Sequence, residues 1–294
     1  MNDDEGFEER RFSAPDGLIL SARVYAGGDR TALPVVCLPG LTRNARDFHP
    51  LALHLARDAE VRRKVVVFDS RGRGGSEHDP DWRNYTVATE ASDVIAGLAA
   101  LDIGHGCFIG TSRGGLIIHA LAAARPAALR AVVLNDVGPV IEGDGLVQIR
   151  AMLERAPKPA SFEEAAAVIE ASNRAAFPAL GPEDWQRWAR AVYRDEGGRP
   201  VADFDPRLAK TLASIDFNKP LPMLWPQFHG LSAIPLMAIR GENSNLLSQK
   251  TLEAMAKVHP AMESVIVAGQ GHAPLLETGD LPERIAGFIA RANR

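Results

Sequence analysis

Short apolar runs rich in β-branched residues alternate with helical patterns along most of this chain. That alternation restricts the fold more than any single motif does. Pro34-Val35-Val36-Cys37-Leu38, Lys64-Val65-Val66-Val67-Phe68, Cys107-Phe108-Ile109 and Ala131-Val132-Val133-Leu134 read as buried strands, because continuous short apolar runs suit strands covered on both faces. Residues 46–58, 86–101 and the run from Leu116 onward read as helices between them. Strands separated by helices give a largely parallel sheet with helices on both faces. At the start, residues 7–13 and 18–25 flank Ala14-Pro15-Asp16-Gly17, and the Asp-Gly turn signal predicts an antiparallel hairpin opening the sheet.

The alternation stops after Asn135-Asp136-Val137-Gly138-Pro139. Residues 140–230 carry helical patterns over 146–155, 162–176, 183–193 and 206–214, with prolines and no convincing buried strand. The strand pattern resumes at Ile234-Pro235-Leu236-Met237-Ala238-Ile239. It is followed by a helix over 248–259, a strand over 262–267 and an amphipathic helix over 281–292. We therefore read a core domain made of residues 1–139 and 231–294, with 140–230 inserted as a helical cap. A chain of 294 residues with 46% apolar content suffices for one such domain.

Charge narrows the partners. Lys and Arg number 33 against 37 Asp and Glu, a net charge of −4, which gives neither a nucleic-acid footprint nor a polybasic membrane patch. The two cysteines, Cys37 and Cys107, both lie in strand-like runs, so neither a disulfide framework nor a metal site is expected. Met1-Asn2-Asp3-Asp4-Glu5 is polar and acidic, unlike the basic and apolar segments of a signal peptide. With no apolar run long enough to cross a bilayer, a cytoplasmic location is expected.

The chemistry centres on Gly110-Thr111-Ser112-Arg113-Gly114, preceded by a strand and followed by Gly115 and a helical run. A serine held on a sharp strand-to-helix turn needs small neighbours and is lifted clear of the sheet, at a helix N-terminus that favours negative charge. In a parallel sheet, functional groups collect at the carboxyl ends of strands. Gly40-Leu41, Ser112, Asp136, residues 241–245 and His272 all fall in loops at such ends. A serine needs a base, and the base an orienting acid. His272, on a glycine-flanked loop after the last strand, is the best placed of the eight histidines. The glycine-rich loop at 69–76 lacks the Lys-Ser/Thr ending of a P-loop and the spacing of a dinucleotide fingerprint, and reads as structural.

Four pieces in this order, Leu38-Pro39-Gly40-Leu41, Asp69-Ser70-Arg71-Gly72-Arg73-Gly74-Gly75-Ser76, Gly110-Thr111-Ser112-Arg113-Gly114-Gly115 and Gly269-Gln270-Gly271-His272, resemble the cap-bearing, esterase-like α/β-hydrolases over nearly the whole chain. The resemblance implies an α/β-hydrolase fold: a mostly parallel eight-stranded sheet flanked by helices, with an inserted helical cap. It implies Ser112 as nucleophile, His272 as base, and the amides of Leu41 and Arg113 as oxyanion hole. The chain departs from the family at the acid. An aspartate is common in the loop after the strand that follows the cap, and Asn245 stands there instead. Asp136, then Asn245, then Glu242 are the candidates, in that order of preference.

A serine rather than an aspartate at the elbow favours acyl transfer, so the expected reaction is hydrolysis of a small ester or lactone through an acyl-enzyme. Amide or carbon–carbon bond hydrolysis and a non-catalytic small-ligand receptor are the alternatives. Trp185, Trp188, Trp225 and Phe228 are the expected pocket walls, and Arg43 and Arg113 either favour an acidic substrate or are solvated. The expected partner is a small-molecule substrate. A homodimer is compatible with the chain, neither nucleic acid nor membrane is expected, and no cofactor or metal is required.

Overall fold

The computed structural model describes residues 6–29, 31–155, 157–216 and 221–293. Met1-Asn2-Asp3-Asp4-Glu5 lies outside them. The strands are β1 (Glu8–Ser13), β2 (Ile19–Tyr25), β3 (Val35–Leu38), β4 (Val65–Asp69), β5 (Gly106–Thr111), β6 (Leu129–Asn135), β7 (Tyr193–Glu196), β8 (Arg199–Ala202), β9 (Leu236–Gly241) and β10 (Glu263–Val267). The helices are α1 (His49–Leu53), α2 (Val87–Ala100), α3 (Arg113–Ala124), α4 (Gly143–Arg155), α5 (Phe162–Asn173), α6 (Pro182–Val192), α7 (Leu208–Ala213), α8 (Trp225–His229), α9 (Gln249–Val258) and α10 (Leu281–Ala292).

Eight strands form one sheet in the order β1-β2-β4-β3-β5-β6-β9-β10. β1 pairs antiparallel with β2, and β2 with β4; every other pair is parallel. The apolar runs divide their side chains between two cores because successive strand residues face opposite ways. Val36, Leu38, Val66 and Phe68 point to the side covered by α2, α3, α8 and α9. Val35, Cys37, Val65 and Val67 point to the side covered by α1 and α10. Cys37 and Cys107 are free and buried on the adjacent strands β3 and β5.

Local chemistry sets the helix ends. Thr86, Ser161 and Ser248 accept from backbone amides in the first turns of α2, α5 and α9, each cap typically contributing about 1 kcal/mol. The single helix expected over 46–58 is broken into a 3₁₀ turn at Ala45–Phe48, α1, and a wider π turn at His54–Asp58. Pro50 lies in the first turn of α1, where its missing amide costs nothing.

Between β6 and β9 the chain leaves the sheet. α4, α5, α6 and α7 arise where helical patterns were expected, and α5 and α6 build a separate small core around Phe177, Trp185 and Trp188. This stretch is not purely helical. β7 and β8 form a hairpin turning at Gly197-Gly198, both with positive φ. Its strands are mostly exposed, so no apolar run announced them.

Candidate active site

β5 ends at Thr111 and α3 begins at Arg113, leaving Ser112 on the turn with φ 52° and ψ −113°. This is a sparsely populated conformation for a residue with a side chain, costing on the order of 1–3 kcal/mol. The flanking glycines let the helix cross the sheet closely. A Cβ on Gly114 would lie 1.9 Å from the Leu38 carbonyl oxygen, and one on Gly110 2.6 Å from the Gly114 carbonyl carbon. A Cβ on Gly115 would meet Val137 at 2.2 Å.

Ser112 Oγ is 2.9 Å from His272 Nε2, and His272 Nδ1 is 2.7 Å from Asp136 Oδ2. Asp136 follows β6, again at positive φ (55°), and is fully buried. Its carboxylate is held from two further sides. The Gly241 amide donates to Oδ1 at 2.8 Å and the Ser244 hydroxyl to Oδ2 at 2.5 Å. A carboxylate accepts only, so the imidazole presents Nδ1–H to Asp136 and its Nε2 lone pair to the serine hydroxyl. The chain of three thus draws on the ends of β5 and β6 and the loop after β10, with the β9 loop supplying the donors that brace the acid.

Among the described residues, the backbone amides of Leu41 and Arg113 donate to no protein acceptor. Arg113 is the first residue of α3, whose amide has no intrahelical partner. Leu41 lies in the loop after β3. Leu41 lines a cavity of about 930 Å³ whose wall also includes Ser112, the residue before Arg113, and His272. Ile149, Leu153, Val168, Ile169 and Trp188 enter this wall from the insertion. Glu277 lines it too, and burial raises its carboxyl above the usual range.

A family model described as the alpha/beta hydrolase fold matches residues 34–278. The chain belongs to the α/β-hydrolase fold family. A 3-hydroxybutyrate-oligomer hydrolase from Cupriavidus necator is 32% identical over 273 residues, 89% of each chain. A 2-(acetamidomethylene)succinate hydrolase from Mesorhizobium japonicum is 28% identical over 235 residues, 79% of each chain. An α/β hydrolase of known structure from Novosphingobium aromaticivorans superposes with a TM-score of 0.89 at 36% identity, covering 97% of this chain and 99% of that one. With relatives of this kind, the chain is an enzyme of the α/β-hydrolase type.

This α/β-hydrolase departs from several sequence expectations. Asn245 does not meet the histidine. It is exposed, and its side-chain amide donates to Gln148 of α4, while Asp136 occupies His272 Nδ1. Glu242 is turned outward and accepts from the Gly269 amide. Of the four aromatic wall candidates, Trp188 alone lines the cavity. Trp185 lies behind it, stacked at 5.6 Å within the core of the insertion. Trp225 and Phe228 sit on α8, which packs on α3: Phe228 is fully buried and stacks on His119 at 6.2 Å. Those aromatics serve packing because α8 returns the chain to the sheet rather than to the cavity.

Neither arginine is simply solvated. Arg43 pairs with Asp47 at 2.6 Å and lies over Trp188, and Arg113 pairs with Glu90 at 2.6 Å. The loop at 69–76 is structural, as expected, but its content was not foreseen. Arg71 is buried and bonded to Asp16, Asp79 and Asp93, and Arg73 is buried and bonded to Glu90. The available signal was two arginines in a glycine-rich loop ahead of a helix that carries Glu90 and Asp93 among small residues.

Proposed function

We propose that this α/β-fold hydrolase cleaves small carboxylic esters through an acyl-enzyme. Ser112 is the nucleophile, His272 the base and then the acid, Asp136 the orienting carboxylate, and the Leu41 and Arg113 amides the oxyanion hole. The observation that carries the reading is the unbroken run Ser112–His272–Asp136, at 2.9 and 2.7 Å, opening on the cavity. His272 Nε2 takes the serine proton as Oγ bonds to the carbonyl carbon, and the carbonyl oxygen becomes an oxyanion held by the two amides. Collapse expels the alkoxide, which recovers the proton from Nε2. Water, deprotonated by the same nitrogen, then bonds to the acyl carbon; the Oγ–carbon bond breaks, the acid leaves and Ser112 Oγ takes the proton back from Nε2. One oxyanion donor typically contributes about 3 kcal/mol, all of it in the transition state.

Residues 140–230 act as the cap that selects the substrate by walling the cavity. Ile149, Leu153, Ile169 and Trp188 suit a short aliphatic chain, while Lys158 and Arg199 bring positive charge to its exposed edge. The name of the 32% identical relative points the same way. Together these support a short, linear hydroxyacyl ester that keeps a free carboxylate.

The test is intact-protein mass after a fluorophosphonate probe, together with hydrolysis of the 3-hydroxybutyrate dimer and of its methyl ester. We expect one adduct per chain, none in Ser112→Ala, and a higher kcat/KM for the free acid than for the methyl ester. A folded parent protein that never labels yet binds ligand saturably would make the receptor alternative correct. Labelling without ester turnover would move the reaction to an amide or a carbon–carbon bond.

A further inference from the structure

The loop after β4 sends Arg73 inward, away from the cavity, to a place that the proposed chemistry leaves unexplained. Its guanidinium is fully buried, an expensive position for a charge unless its partners are well aimed. Nε donates to the Leu41 carbonyl at 2.7 Å, and Nη1 to the Arg71 carbonyl at 2.6 Å and to Glu90 Oε1 at 2.7 Å. Glu90, equally buried on α2, takes Arg113 Nε on its other oxygen at 2.6 Å. Arg113 Nη2 is anchored in turn on the Tyr85 carbonyl at 2.8 Å. Burial by itself would raise the Glu90 carboxyl, but Arg113 and Arg73 overcome that and hold it below its usual range.

One buried carboxylate thus joins two arginines, one gripping a residue of the proposed oxyanion hole and the other belonging to it. Arg113 is itself such a residue. Leu41 is gripped through its carbonyl. The peptide before it is also pinned, since the Gly40 carbonyl accepts from the Arg43 amide at 3.2 Å. In a trans peptide the N–H points opposite to the C=O, so fixing the Gly40 carbonyl aims the Leu41 amide the other way. Arg73 then fixes the next peptide and prevents the pair from rotating. The insertion holds Arg73 in place: Arg73 forms an antiparallel bridge with Phe204, Gly74 N donates to the Asp203 carbonyl at 3.1 Å, and Asp205 N donates to the Gly72 carbonyl at 2.8 Å.

We propose that Arg73, held by Glu90, is a positioning residue that aims the Leu41 and Arg113 amides at the developing oxyanion. The inference rests on the serine-hydrolase reading above. Preorganised donors are effective because they need no reorientation during the reaction, and a displacement of about 1 Å can cost roughly 100-fold in rate.

The experiment compares parent, Arg73→Met, Arg73→Lys and Glu90→Gln. It measures kcat and KM on one ester, affinity for a trifluoromethyl ketone that forms a hemiketal oxyanion, and affinity for the product carboxylate. For folded Arg73→Met we expect kcat to fall roughly 10- to 100-fold with KM within about threefold. Ketone affinity should fall in step while product affinity is kept. Arg73→Lys should recover part of the loss, and Glu90→Gln should give a smaller loss of the same signature. If Arg73→Met does not fold, Arg73→Lys and Glu90→Gln carry the test. Unchanged kcat in a folded variant overturns the proposal, as does an equal loss of ketone and product affinity. A parent protein that fluorophosphonate never labels overturns the serine reading itself, and this positioning role with it.

Discussion

Asp136 is the residue whose environment separates it from its rivals. It is fully buried, stands at positive φ, and accepts from Gly241, Ser244 and His272 at once. An asparagine there would retain the shape and lose an acceptor, and would favour the wrong imidazole tautomer. Asp136→Asn should lower kcat by about 10⁴, the cost typical of that exchange in a serine triad. Asn245→Asp should leave kcat within about twofold, because this side chain faces Gln148 rather than the imidazole. Fluorophosphonate labelling rates should follow the same order, and faster labelling in Asn245→Asp would reopen the choice of acid. The sequence left these two positions close together. Both follow strands of the same sheet edge, and spacing along the chain carries no information about which loop turns inward.

At the scale of elements, the strands and the elbow were legible and the roles of the aromatics were not. The runs Val35–Leu38 and Val65–Asp69 are buried on both faces, and such strands advertise themselves as continuous apolar sequence. An aromatic residue in the insertion looks the same whether it lines a cavity or fills a core. Trp185 and Trp188 show this: they lie on one helix, stack on one another, and only the second reaches the cavity. Trp185→Leu should therefore lower stability by about 2 kcal/mol, through lost packing, with KM within about twofold. Trp188→Leu should raise KM by about tenfold, as expected for a reshaped apolar wall. Thermal unfolding and steady-state kinetics on the same preparations separate the two. Equal KM effects would place both indoles in contact with substrate. The β7–β8 hairpin escaped the sequence reading for a related reason: its strands are mostly exposed and form no apolar run, so the turn at Gly197-Gly198 is the signal they leave.

Across the whole molecule, buried charge ties the sheet to the insertion. Asp69, at the end of β4, accepts from the Ala45 and Gly75 amides and is buried. Arg46 joins the same region to the insertion by pairing with Asp203 at 2.8 Å. Burial pushes the Asp69 carboxyl up from its ordinary 3.8 to about 6, despite the two amides that favour its charged form. Between those two values the folded chain binds the proton more tightly than the unfolded chain, so this group's contribution to stability falls as pH rises from about 4 to about 6 and is flat above. A shift of this size corresponds to about 3 kcal/mol. In urea unfolding, the parent protein should lose about that much relative to Asp69→Asn across the interval. A parent-minus-variant stability difference that stays constant or rises with pH across that interval would remove Asp69 as the source.

From the sequence alone followed the features that depend on neighbours along the chain. These are the alternation that makes a parallel sheet, the glycines that let α3 cross Leu38 closely, and the placing of a serine and a histidine at strand ends. Local sterics and hydrophobic periodicity dictate them, and both are written in consecutive residues. Tertiary structure alone decided which acid meets His272, which indole meets the cavity, and that Arg73 and Glu90 meet beneath Leu41. Those outcomes depend on directions in space between residues tens of positions apart. A buried charge finds its partner only after the sheet, the helices and the insertion have closed around it.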